Sequence, residues 1–312
     1  MMRRVLMSLA PIAAFSVWLY GPRALAVLAV GLGGAVLTEW LFERKKGGKV
    51  SEAVLVTGTL FSLSLPPATP LWIVLVGIVF AVSMAKEAYG GFGRNVFNPA
   101  IAGRLFIYIS FAGALGASYY APGGFGQAAG SLFGATDAVS AASPLALMRT
   151  GGSPELKDLL LGTRVSALGE SSVILIALAA VYLLATKTAQ WRLMLSTLGS
   201  AAALTLALYL AGVPRALPPQ ALLAGSLPFV AVFMATDPVS APKKKGAQWA
   251  YGCLIGTAAV VIRSFSLFPE GTSFAVLLGN SFGPLFDRMA SRAQTARAAK
   301  SPAGAGQAEA TR

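Results

Sequence analysis

One short polar run stands out in a chain that is otherwise apolar: Asp137-Ala-Val-Ser140-Ala-Ala-Ser143-Pro144-Leu145. It offers one carboxylate and two hydroxyls at three-residue spacing, set among small and helix-breaking residues. Four other places put ionisable groups beside or inside apolar sequence. Lys86-Glu87-Ala-Tyr-Gly90-Gly91-Phe-Gly93-Arg94-Asn95 is dense in glycine, which permits close approach of backbone to a ligand or to another helix. Arg104 lies a turn or two inside an apolar run, where a charge is costly and must face a partner or a cavity. Glu170, in Leu168-Gly-Glu-Ser-Ser172, opens another run, and the helix dipole favours an acid there. Asp237 and Ser240, in Thr236-Asp-Pro-Val-Ser240, could bind a cation or cap a turn.

Composition restricts the chemistry these groups can serve. The chain has no histidine and one cysteine, Cys253. That excludes His-ligated haem, His-rich zinc sites, iron–sulfur clusters held by this chain alone and intrachain disulfides. Any redox work must therefore fall to an organic cofactor. With 55% hydrophobic and 12% charged residues, the chain reads as a polytopic helical membrane protein. Its apolar runs are long and continuous, not the short alternating segments of a membrane barrel. The net charge of +13 fits cytoplasmic Lys and Arg, with no need of nucleic acid. Met1-Met-Arg3-Arg4 and the run after it could mimic a signal peptide, but no convincing small-residue cleavage site follows.

The expected fold is all-α, with about ten spans placed by apolar length. They are Val5–Tyr20, Ala24–Phe42, Ala53–Leu65, Leu71–Ala85, Val96–Ala117, Ser172–Ala185, Leu193–Ala211, Ala221–Met234, Trp249–Ile262 and Ser273–Phe286. Residues 1–117 form a first five-span half, 118–165 a long loop, 166–290 a second half and 291–312 a basic, disordered tail. Lys and Arg collect on one side, including Arg44, Lys45, Lys46, Lys49, Lys187, Arg192 and Lys243-Lys-Lys245. That side is cytoplasmic by the positive-inside rule, so both termini lie inside and the 118–165 loop outside. Spans three and eight are short, each beside a Pro-Pro pair, and Asn95-Val-Phe-Asn-Pro99 and Asn280-Ser-Phe-Gly-Pro284 share N-x-F-x-P. The pattern points to two inverted five-helix repeats with short or broken helices.

Taken in order, Lys86-Glu87 through Asn98-Pro99 to Gly103-Arg104, then Leu168–Ser172, Thr236–Ala241, Gly252–Gly256, Ile262-Arg263, Pro269-Glu-Gly271 and Asn280–Asp287 form a specific series. Over roughly Ser51–Met289 it strongly resembles the RnfD/NqrB family, membrane subunits of ion-translocating electron-transport complexes of the Rnf and Nqr kinds. The resemblance implies an outer-loop motif, Asp-x-x-Ser/Thr-Gly-Ala-Thr, whose last residue is joined to FMN by a flavin transferase. Aligned on Asp137 and Pro144-Leu145, it puts Ser140 at the hydroxyl position, Ala141 at the glycine and Ser143 at the acceptor. Gly134-Ala-Thr136 is the alternative acceptor, without the flanking Asp and Pro-Leu. Arg149, Lys157 and Arg164 would suit a flavin phosphate. Arg104 and Asn98 are the cofactor-binding candidates within the membrane, and Glu87, Glu170 and Asp237 the candidates for an ion path.

The resemblance further implies a bacterial cytoplasmic-membrane protein that passes electrons between FMN and an inner riboflavin, coupled to Na+ or H+ movement. Its partners would be the other members of the complex, including an outer flavoprotein. The short stretch before the first span favours the Rnf type over the Nqr type. Two other functions fit inverted repeats and eroded flavin motifs: a small-solute channel or secondary transporter, and a redox-silent scaffold.

Overall fold

A computed structural model describes residues 1–123, 144–149, 152–213, 217–266 and 271–299. The described chain is dominated by helices, as a bilayer requires of a backbone that must satisfy its own polar groups. The first group is α1 (Met2–Tyr20), α2 (Pro22–Lys46), α3 (Glu52–Leu63), α4 (Leu71–Ala85), α5 (Pro99–Ser110) and α6 (Ala112–Gly116). Two short helices follow, α7 (Pro144–Arg149) and α8 (Leu156–Leu161). The second group is α9 (Val173–Ala185), α10 (Trp191–Leu210), α11 (Pro218–Leu223), α12 (Leu227–Phe229), α13 (Lys245–Phe265) and α14 (Gly271–Ala299). Among the described residues, four helical stretches are long and apolar enough to cross a membrane: Met2–Tyr20, Pro22–Lys46, Trp191–Leu210, and Leu71–Tyr89 counting the turn after α4.

Glycines explain several ends. Gly21 separates α1 from α2 at φ +71°, and Gly47 closes α2 in the left-handed region favoured after a helix. α3 is only 12 residues, about 18 Å at 1.5 Å per residue. It stops before Pro66-Pro67, neither of which can donate to a helix. Span eight is divided: α11, then α12 running into a π-helical turn over Val230–Met234.

Within the first group α2 packs on α3 and α4, and α4 on α5; within the second α13 packs on α10 and α14. Small residues set these distances, as expected where lipid supplies no hydrophobic drive between helices. A Cβ at Gly256 of α13 would lie 2.3 Å from the Thr197 carbonyl of α10. At Gly169, ahead of α9, it would lie 2.8 Å from Leu63 Cβ and 3.0 Å from a Phe229 ring carbon. The ends of α3 and α12 therefore meet over this glycine.

The structure corrects three expectations. Span five is interrupted at Phe111, which leaves helical geometry between α5 and α6 (φ −129°, ψ 37°). The tail is helical through Ala299, because a sequence rich in Ala, Arg and Gln has high helix propensity whatever its polarity. The two N-x-F-x-P runs are not structural equivalents: Pro99 opens α5, whereas Pro284 lies inside α14.

Candidate functional site

The candidate residues gather at one end of the bundle and at its middle. A cleft at the end carrying the N-terminus has an empty volume of about 720 Å3, part of it open to solvent. Both groups of helices line it: Thr57, Lys86 and Asn98 from the first, and Phe233, Thr236 and Asp237 from the second.

Asn98 reaches this wall because Pro99 occupies the first helical position of α5, where a missing N–H costs nothing. Asn98 Oδ1 accepts from the Ala100 and Ile101 N–H groups at 3.0 and 3.3 Å, capping the helix. The Asn98 N–H donates to Asn280 Oδ1 at 3.1 Å, and Asn280 Nδ2 donates to Tyr251 Oη at 2.7 Å. Asn280 and Tyr251 are fully buried, so this chain of bonds joins α5, α14 and α13 out of water. Pro284 supplies no N–H for the carbonyl four residues back, that of Asn280, so the helix lacks one rung at the network residue itself.

Asp237 follows the π-helical turn. Its Oδ1 accepts from the Val239 N–H at 3.1 Å and its Oδ2 from the Ser240 hydroxyl at 2.9 Å. The carboxylate thus caps its own turn while it lines the cleft.

Arg104, Lys86 and Glu87 each form an ion pair. Arg104 Nη2 donates to Glu170 Oε1 at 2.9 Å, with both side chains buried, and its guanidinium lies 5.5 Å from the Tyr108 ring centre. Lys86 Nζ donates to Glu39 Oε2 at 2.5 Å and to Ser51 Oγ at 2.9 Å, again buried. The Ser51 N–H completes the ring by donating to Glu39 Oε1 at 2.9 Å. Glu87 accepts from Lys46 at 2.8 Å. Arg164, a candidate partner for a flavin phosphate by its sequence position, is buried and donates to the Glu170 carbonyl at 2.6 Å and the Leu223 carbonyl at 3.1 Å. Burial pushes its guanidinium down to about 10, partly offset by the Glu170 charge, so it is cationic at neutral pH.

The structure therefore brings Asn98 and Asp237 to one cleft and Arg104 to Glu170, while Glu87 stands apart with Lys46. Asp137, Ser140, Ser143 and Thr136 lie outside the described residues, as does the Arg149 side chain. Sequence reasoning missed Glu39 and Tyr251. Glu39 carried a signal, an acid inside the second apolar run; Tyr251 carried none.

Comparison with known proteins agrees with the membrane reading. The B subunit of the Na(+)-translocating NADH-quinone reductase of Ectopseudomonas mendocina is 35% identical over 272 residues, 83% of this chain and 64% of that protein. Its counterpart in Azotobacter vinelandii is also 35% identical over the same shares. The D subunit of the proton-translocating ferredoxin:NAD(+) oxidoreductase complex of Clostridium ljungdahlii is 32% identical over 300 residues, 91% of this chain and 87% of that protein. The chain thus spans somewhat under two thirds of the length of the two quinone-reductase relatives. The model of the NQR2, RnfD, RnfE family matches residues 1–296, and this multi-pass membrane protein belongs to that family.

Proposed function

We propose that the chain is the flavin-carrying membrane component of an ion-translocating oxidoreductase complex of the Nqr/Rnf kind, in a bacterial cytoplasmic membrane. The observation that carries the reading is the cleft between the two helix groups, lined by Asn98 and Asp237, in a member of this family.

The cleft's chemistry suits the ring system of riboflavin. Phe92 and Phe233 offer apolar surface, the Asp237 carboxylate an acceptor, and Thr57 and Thr236 hydroxyl oxygens. Those two hydroxyls donate to the Ala53 and Val232 carbonyls, leaving their oxygens as acceptors. Lys86 contributes positive charge at the wall, held in place by Glu39 and Ser51. A bound flavin supplies one- and two-electron transfer, which none of this chain's side chains can. The chain's own part is to seat the ring, exclude water from it and hold charge near it.

In this reading the fold is ten spans in two inverted five-helix repeats, with α1 to α5–α6 answered by α9 to α14. Its support is the matching order of packing, α2 on α4 and α4 on α5 beside α10 on α13 and α13 on α14. Both termini are cytoplasmic. FMN is carried on Ser143 of the outer loop, with Thr136 the alternative acceptor, and a flavin transferase attaches it. A hydrocarbon core of about 30 Å is too wide for one efficient electron hop, which calls for the second, inner flavin. Other members of the complex, including an outer flavoprotein, exchange electrons with it, and Na+ or H+ moves in consequence. Of the acids, Asp237 is the best placed for that ion, since Glu170 and Glu87 are engaged by Arg104 and Lys46.

The test is ultraviolet fluorescence of the denatured protein band after co-expression with a flavin transferase, for wild type and Ser143→Ala. A bright wild-type band that goes dark in the variant is expected. A variant that stays bright moves the attachment to Thr136. A dark wild-type band, together with native protein that releases no flavin on acid extraction, overturns the reading in favour of a redox-silent scaffold.

A further inference from the structure

A second groove adjoins the cleft at the same end of the bundle. It runs between the α9–α10 turn and the turn after α12, with an empty volume of about 1060 Å3, part of it open to solvent. Lys187 lines it from the first turn and Lys243 from the second, with Leu184 and Trp191 on its wall.

Several observations give this groove a chemical character. Lys187 is held at φ +52°, the one non-glycine in the left-handed region among the described residues. Glycine or asparagine is the ordinary occupant of that position after a helix, so a lysine is kept there against backbone preference. Among the described residues no carboxylate pairs with the Lys187 or Lys243 ammonium. Asp237 lines the groove too, its carboxylate hydrogen-bonded to the Val239 N–H and the Ser240 hydroxyl and in no ion pair with either lysine. The α9–α10 turn joins two apolar helices, so it sits at a membrane surface. Trp191, half exposed and edge-on to Trp249 with ring centres 6.0 Å apart, is the kind of residue that lies at headgroup depth. Leu184, near the end of α9, is exposed and lines the same groove.

We propose that this groove binds an acidic phospholipid, with Lys187 and Lys243 donating to its headgroup phosphate and Trp191 and Leu184 covering the glycerol and one acyl chain. Two free ammonium groups beside an aromatic and aliphatic wall match an anion that carries its own hydrocarbon. A soluble phosphate would use the lysines and leave the wall idle. A zwitterionic lipid would bring its own cation beside two others. The proposal does not depend on flavin.

The test titrates the purified full-length protein in detergent with phosphatidylglycerol and, separately, with phosphatidylcholine, counting bound lipid by native mass spectrometry. Wild type is expected to prefer phosphatidylglycerol, and Lys187→Gln/Lys243→Gln to lose about thirtyfold of that preference, each lysine being worth about fivefold at a membrane surface. Lys45→Gln/Lys49→Gln removes the same charge from the same face and keeps the preference. The single variants give intermediate losses if the double variant is poorly folded. Equal binding of the two lipids by wild type, or an unchanged preference in the double variant, overturns the proposal. Displacement of the lipid by excess inorganic phosphate overturns it as well, in favour of a soluble anion.

Discussion

Arg104 donates from Nη2 to Glu170 Oε1 over 2.9 Å, and both side chains are buried. The bond joins α5 to the turn ahead of α9, and so ties the first group of helices to the second. Such a pair gains little over an apolar substitute, but leaving one charge alone is severe. Arg104→Met is therefore expected to lose about 3–5 kcal/mol in unfolding by sodium dodecyl sulfate. Arg104→Met with Glu170→Met should recover most of that loss. A double variant as unstable as the single one would show that the ion pair is not the reason for the charges.

The Asn98–Asn280–Tyr251 chain should behave as a unit. Asn280→Ala leaves a buried N–H and a buried hydroxyl without partners, at about 1–3 kcal/mol for each group stranded. Tyr251→Phe strands one group, the Asn280 amide N–H, and should cost about 1–3 kcal/mol. Thermal unfolding followed by circular dichroism, combined in a double-mutant cycle, should give a cost for the pair well below the sum.

Two glycines make opposite predictions. Gly169→Ala drives a Cβ into Leu63 and Phe229, both fully buried, and is expected to lower the melting temperature sharply. Gly33→Ala, in α2, meets nothing within 4 Å and should stabilise by about 0.5–1 kcal/mol through helix propensity alone. Melting curves of the two variants in the same detergent separate these effects.

Asp287 of α14 accepts from the Lys243 and Lys244 N–H groups at 3.0 and 2.9 Å, and so caps α13 from a neighbouring helix. Asp287→Ala should cost about 1 kcal/mol, and Asp287→Asn much less. Hydrogen exchange of the first turn of α13 should quicken in the alanine variant and leave α10 unchanged.

Helix positions were legible in the sequence because apolar runs of membrane length permit little else. α4 begins and ends where the hydropathy does, at Leu71 and Ala85. The failures share one cause: short-range pattern cannot report long-range partners. Arg104 plainly needed a counter-charge, yet Glu170 stands 66 residues away and resembled a helix-dipole acid. Glu39 and Lys86 were both visible, but their bond spans 47 residues. Asp237 read as a turn cap or a cation ligand, and it both caps its turn and lines the cleft. The shared N-x-F-x-P does not itself mark equivalent places, because a proline at the start of α5 and one inside α14 have the same letter and opposite consequences for the backbone.

α14 has 29 residues, about 44 Å of helix against a hydrocarbon layer of about 30 Å. Some 14 Å must stand clear of the lipid by that arithmetic, roughly. Asp287 fastens the base of this overhang to the start of α13, and Tyr251 fastens α13 back to Asn280. The two helices are thus joined at two points, one on either side of Pro284. Asn280 in turn accepts from the Asn98 N–H at the seam with α5, on the wall of the cleft. A partner protein that gripped the protruding end would have a mechanical line to the wall of that cleft without touching it.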